Sequence, residues 1–204
     1  VPNVVILANN NTVSGFNFIT ATTSQNGIAG SSISNLNAIQ NTFISTANNT
    51  NGISLTNPLG IVNVGSSFFS GFPDLGTNNG SGVFVLIDNG ALLNTLNITG
   101  NNFSNPASGN GGSGVQVVFV GGGGTLNNYN VAGNSFSNFS SGSTSGVNTI
   151  LEAPGSTVNN FILSNNSFAG FVNSSAVTSF LFAPNTPVTK HTPVSYTHLR
   201  AHET

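Results

Sequence analysis

Cysteine, methionine and tryptophan are missing from all 204 residues, and charge is nearly so: Lys and Arg together number 2, Asp and Glu 4. Without cysteine there are no disulfides and no thiolate metal sites, and the compartment clue that disulfides give is lost with them. Both basic residues, Lys190 and Arg200, and all three histidines, His191, His198 and His202, lie near the C-terminus. Residues 1–189 hold no Lys, Arg or His, which excludes a basic face able to track the phosphates of nucleic acid or anionic lipid. No apolar run approaches about 18 residues and no basic leader opens the chain, so neither a spanning helix nor a signal peptide is legible. Export would depend on sequence outside the chain.

What is there is neutral polarity and a large apolar set. Hydrophobic residues make up 37% of the chain, with 16 Phe, and Asn, Ser, Thr and Gly supply almost all the rest. That is too apolar for a charge-rich disordered tract and too poor in charge for ordinary globular usage. Something repetitive must organise it.

Two columns show the repeat. NGIAGSSI from Asn26, NGISLTNP from Asn51, SGVFVLID from Ser81, SGVQVVFV from Ser113, SGVNTILE from Ser145 and SAVTSFLF from Ser175 align, placing Ile28, Ile53, Val83, Val115, Val147 and Val177 in one column. The steps are about 25 to 32 residues, a solenoid period. A second column joins Phe18, Phe43, Phe68, Phe103, Phe136 and Phe168, with Asn41, Ser66, Asn101, Asn134 and Asn166 two residues earlier. The fixed offset predicts an asparagine ladder at a tight turn, each amide bonding the same group one coil away.

The segments read as strands. In LNITGNNF, Leu96 and Ile98 alternate with Asn97 and Thr99, the period of a half-buried strand, whereas GVQVVFV is the run of a strand with a crowded inner face. Gly, Asn, Ser and Pro clusters such as NPASGNGGSG link them. Because like residues recur once per coil, they stack on themselves, which requires parallel pairing. The expectation is an all-β, right-handed, single-stranded parallel β-helix of about six coils, occupying residues 1–189.

The motifs NNTVSGFNF from Asn10, the Asn-x-Phe turns and the Gly-Ile or Gly-Val strand starts resemble the pectin-lyase-like parallel β-helix proteins, and the composition is similar to bacterial surface and autotransporter passenger domains. The resemblance implies architecture more than activity, since this fold hosts lyases, hydrolases, phage tailspikes and non-catalytic adhesins. Residues 190–204 are set apart. From about 193 the string PVSYTHLRAHET resembles a translated transposase sequencing adaptor, matching codon for codon over 194–203. His191, His198, His202 and Glu203 would otherwise suggest a metal cluster, but the adaptor likeness makes them foreign sequence on a truncated reading frame.

Candidate chemistry is confined to three acids in the repeat body. Asp88, Val120 and Glu152 share a column in successive coils, so two coil steps of about 4.8 Å would put the carboxylates roughly 10 Å apart, slightly beyond an inverting glycosidase pair. Each ends its strand before a turn (DNG, EAPG), where a solvated acid is ordinary, and Asp74 in GFPDLG reads as a turn residue. Asp88 and Glu152 are therefore weak catalytic candidates. The GGGG run from Gly121 lacks the lysine and helix of a phosphate cradle and reads as a turn. Exposed Asn and Thr rows suit sugar, while no regular Thr-x-Thr array favours ice. No cofactor or metal site is expected. The function expected is a structural or adhesive stalk, extracellular or on the cell surface, with glycans, surface proteins or further coils as partners; the alternative is a carbohydrate-active enzyme or tailspike.

Overall fold

A computed structural model of the chain describes residues 5–73, 80–105, 112–139, 145–181 and 191–193. It is all-β and every strand pairing is parallel. Each coil contributes one strand to each of three sheets. In one coil these are Ser81–Asp88, Ala91–Thr99 and Asn102–Ser104, and in the next Ser113–Val120, Gly124–Ala132 and Ser135–Ser137. Among the described residues the first two sheets have seven strands and the third has six, which is the expected all-β parallel β-helix of about six coils.

The first column stands as read: Ile28, Ile53, Val83, Val115, Val147 and Val177 pair in register down the first sheet. The glycine before each has a packing reason. At Gly27, Gly52, Gly82, Gly114 and Gly146 a Cβ would stand 2.6 to 2.7 Å from the carbonyl oxygen of the corresponding residue one coil on. It would also stand 2.8 to 3.0 Å from a ring carbon of Phe43, Phe69, Phe103, Phe136 or Phe168 respectively. Each coil thus sets the edge of one phenylalanine ring against its own opening glycine.

The aromatic column needs one correction. Phe69, not Phe68, occupies the interior: Phe69 is 1% exposed and Phe68 37%. Ring centroids of Phe18, Phe43, Phe69, Phe103, Phe136 and Phe168 follow one another at 4.7 to 5.0 Å, stacked with neighbouring planes within 12° of parallel. The cause lies upstream. Ser34 pairs with Leu59 but Leu36 with Val62, so a bulge at Gly60, with φ +69°, inserts one residue and shifts everything after it. In Ser66-Ser67-Phe68-Phe69 both registers look alike from the sequence, and the bulge selects the later one.

The same shift replaces Ser66 by Ser67 in the ladder. Asn41 N–H donates to Ser67 Oγ (3.1 Å), Ser67 N–H to Asn101 Oδ1, Asn101 N–H to Asn134 Oδ1 and Asn134 N–H to Asn166 Oδ1, each of these three at 2.9 Å. In return the Nδ2 groups of Asn101, Asn134 and Asn166 donate to the carbonyls of Val64, Ile98 and Val131 at 2.8 to 2.9 Å. The left-handed residue of the turn is the one before: Gln40, Ser66, Gly100, Gly133 and Asn165 carry φ of +49° to +66°. The ladder asparagines serve for their amides, not for backbone tolerance.

Two further features concern the sheets. Gln116, Val118, Asn148 and Ile150 point outward by alternation yet are buried, so Ser113–Val120 and Ser145–Leu151 are covered on both faces rather than merely crowded inside. The stretch set apart from residue 190 supplies His191–Pro193 as a strand beside Thr157–Ser164. His198, His202 and Glu203 lie outside the described residues.

The register is testable by paired truncations. Phe69→Ala should lower stability by about 3 to 5 kcal/mol, as for other buried phenylalanines, while Phe68→Ala should cost under about 1 kcal/mol; urea denaturation of both proteins checks this. Equal losses would contradict the corrected column. Asn134→Ala strands the Asn101 amide and the Ile98 carbonyl and should cost about 2 to 4 kcal/mol in the same measurement.

Candidate functional site

The acids are placed by strand ends. Asp88 closes Ser81–Asp88 and pairs with Val120, and the Glu152 amide donates to the Phe119 carbonyl at 3.0 Å, carrying the register on to Glu152. The shared column is therefore real, with Val120 between the two acids and a separation of about 10 Å from the sheet spacing. Asp88 is engaged in its corner. Its N–H donates to Asn57 Oδ1 (2.7 Å) and its Oδ2 accepts from Asn89 Nδ2 (2.8 Å). Its Oδ1 is buried without a hydrogen-bond partner, pressed against Gly121 of the next coil where any Cβ would collide with it. Gly121 has φ +58°, so glycine serves this turn twice over. Glu152 is exposed. The structure aligns these two carboxylates without bringing them together, and Asp74 lies outside the described residues.

The interior holds one titratable group that sequence reading passed over. Tyr129 replaces the Leu96 of the previous coil, stacks on Phe161 at 4.6 Å and is fully buried. Desolvation of the phenolate raises its pKa far above the ordinary value near 10, outweighing the lowering by the Thr149 hydroxyl close by. Neither oxygen meets the geometry of a hydrogen bond, so both are unsatisfied in the core. Among the described residues no group of His, Asp or Glu comes together that could hold a metal ion.

The outer face of the second sheet carries the most regular set of functional groups. Thr12, Asn37, Asn63, Asn97 and Asn130 pair in register down five coils. Asn97 Nδ2 donates to Asn63 Oδ1 at 2.8 Å. Beside this column runs another, Ile61, Thr95, Asn128 and Asn160. A third arises from a bulge between Leu93 and Thr95, which turns Asn94 outward as an extra residue. Asn127 and Asn159 repeat it: Asn127 Nδ2 donates to Asn94 Oδ1 (3.1 Å) and Asn159 Nδ2 to Asn127 Oδ1 (2.7 Å). At the N-terminal end of this face a depression of about 360 Å³ is lined by Asn10, Thr12, Asn35, Asn37, Ile61 and Asn63, among others. The signal was present in LNAIQ, VNVGS, LNITG and YNVAG, where the second residue is always Asn, but alternation alone reads it as surface filler.

Comparison with family models, curated proteins and solved structures finds no match for this chain.

Removing the lone phenol oxygen tests the core reading. Tyr129→Phe should stabilise the protein by about 1 kcal/mol, since a buried hydroxyl without a partner costs more than it returns. The pH dependence has a definite sign. Unfolded chain releases the tyrosine proton near pH 10 while the folded core retains it, so the folded state binds more protons and stability falls as pH rises above about 10. Denaturation midpoints from pH 8 to 11.5 should show that fall in the parent and a smaller one in Tyr129→Phe; identical profiles would contradict it.

Proposed function

We propose that this chain is a structural or adhesive stalk of a cell surface, acting outside the cell and carrying no catalytic site of its own. The observation that carries the reading is continuity: the phenylalanine stack from Phe18 to Phe168 and the hydrogen-bonded ladder from Asn41 through Ser67 to Asn166 run through successive coils without a break. A stalk must resist deformation along its length, and both devices join each coil to the next along the axis. The resemblance to pectin-lyase-like folds and autotransporter passengers belongs to this reading, as do glycans, surface proteins and further β-helix coils as partners. Asp88 and Glu152 serve it as turn residues.

Pulling the protein end to end tests the proposal. The expected trace is resistance followed by coil-by-coil release, each step adding about 100 Å as some 30 residues extend at roughly 3.5 Å each. Smooth extension at low force would overturn it. So would release of reducing ends from a polysaccharide that Asp88→Asn or Glu152→Gln abolishes, which would make the chain a glycoside hydrolase using the shared acid column.

A further inference from the structure

We propose that the outer face of the second sheet binds a neutral, extended glycan laid along the helix axis, one sugar unit per coil. The inference rests on the adhesive half of the reading above and names its ligand.

Three observations carry it. The first is chemical capacity. A carboxamide offers two N–H donors and an oxygen with two lone pairs. The row bond between Asn97 and Asn63 uses one donor of the former and one lone pair of the latter, so both amides keep further capacity toward solvent while their side chains are held in place. A sugar hydroxyl is likewise donor and acceptor at once, and a fixed amide meets it without ordering a free side chain.

The second is repeat distance. Adjacent parallel strands lie about 4.8 Å apart, close to the length of one pyranose ring in an extended 1,4-linked chain. The column Asn37, Asn63, Asn97 and Asn130 therefore presents one amide per sugar, and Asn128 and Asn160 repeat the spacing alongside. Near the N-terminal end of this face, Ile61 is 47% exposed in the depression, and Leu92 is 46% exposed at the outer margin of the amide rows. These apolar groups suit the C–H faces of sugar rings.

The third is charge. The residues named on this face are all uncharged, and residues 1–189 hold no Lys, Arg or His, so nothing here compensates a uronate, sulfate or phosphate. A protein partner is disfavoured as well, because among the described residues the face offers none of the Trp, Tyr or Arg anchors that dominate protein interfaces.

The test is calorimetric titration of the intact chain with neutral 1,4-linked gluco-, xylo- and manno-oligosaccharides, and with oligogalacturonides of equal length. Affinity for at least one neutral series should rise about tenfold or more from two to five sugars, because the amide columns span five coils and added contacts act in one molecule. Asn63→Ala and Asn97→Ala should each weaken binding about tenfold, the worth of a lost hydrogen bond, with circular dichroism and melting temperature unchanged. No binding of any neutral series, preference for the acidic series, or binding indifferent to both substitutions would each overturn the inference. If a substitution lowers the melting temperature, Asn128→Ala in the neighbouring column repeats the test. The stalk reading fails separately: a chain that resists pulling but binds no neutral glycan loses only this inference, and one that binds through these rows but extends at low force loses only the stalk.

Discussion

The contact on which the coil depends is a phenylalanine ring laid against a glycine that has no side chain. Gly52 and Phe69, Gly82 and Phe103, Gly114 and Phe136 bring the start of the first sheet and the third sheet together within one coil. A methyl group at any of these glycines would strike both the ring and the carbonyl one coil on, so a single position sets the width of the coil and its rise. Once the rings sit there, they fall on one another at 4.7 to 5.0 Å, adding about 0.5 to 1.5 kcal/mol per pair beyond their burial. The valine and isoleucine column one residue further on then fills the interior with nothing larger than the ring stack leaves room for.

The scarcity of charge follows from the same stacking. In a parallel solenoid each residue faces its own kind at about 4.8 Å, so a charged side chain recurring in every coil would form a repulsive row. An amide row does the reverse, because donor and acceptor of successive copies meet. Asparagine accordingly appears twice in different roles. Inside the corner, Asn101, Asn134 and Asn166 satisfy backbone groups that the turn would otherwise leave unpaired. Outside, Asn63 with Asn97 and Asn94 with Asn127 hold one another.

How much of this was legible depends on whether a residue's place follows from its own coil or from an offset accumulated before it. The Ile28 to Val177 column was readable because glycine marks its start in nearly every coil. Phe69 was not, since Ser66-Ser67-Phe68-Phe69 fits two registers and the choice was made by a bulge at Gly60, several residues earlier and in another sheet. The shared column of Asp88 and Glu152 was readable for the first reason. The partnerless oxygen of Asp88 against Gly121 was not, because it depends on how two turns nest, and no periodicity reports that. Tyr129 was missed as a core group because alternation predicts its inward direction without saying whether anything meets the hydroxyl.

A repeat that builds an interior also builds a surface with the same period. The phase constraint that makes Phe103 stack on Phe136 necessarily puts Asn97 beside Asn130, whether or not the outer face is used. Regular spacing on the second sheet is thus a by-product of the fold and carries no functional weight alone. What the fold does not require is the identity of the residues. Threonine or serine would remain soluble and tolerate the sheet better, since asparagine is depleted in strands. Asparagine recurring in three adjacent columns at positions where strand propensity opposes it, one of them created by a bulge that lengthens the coil at Asn94, points to the amide itself as the group that matters on that face.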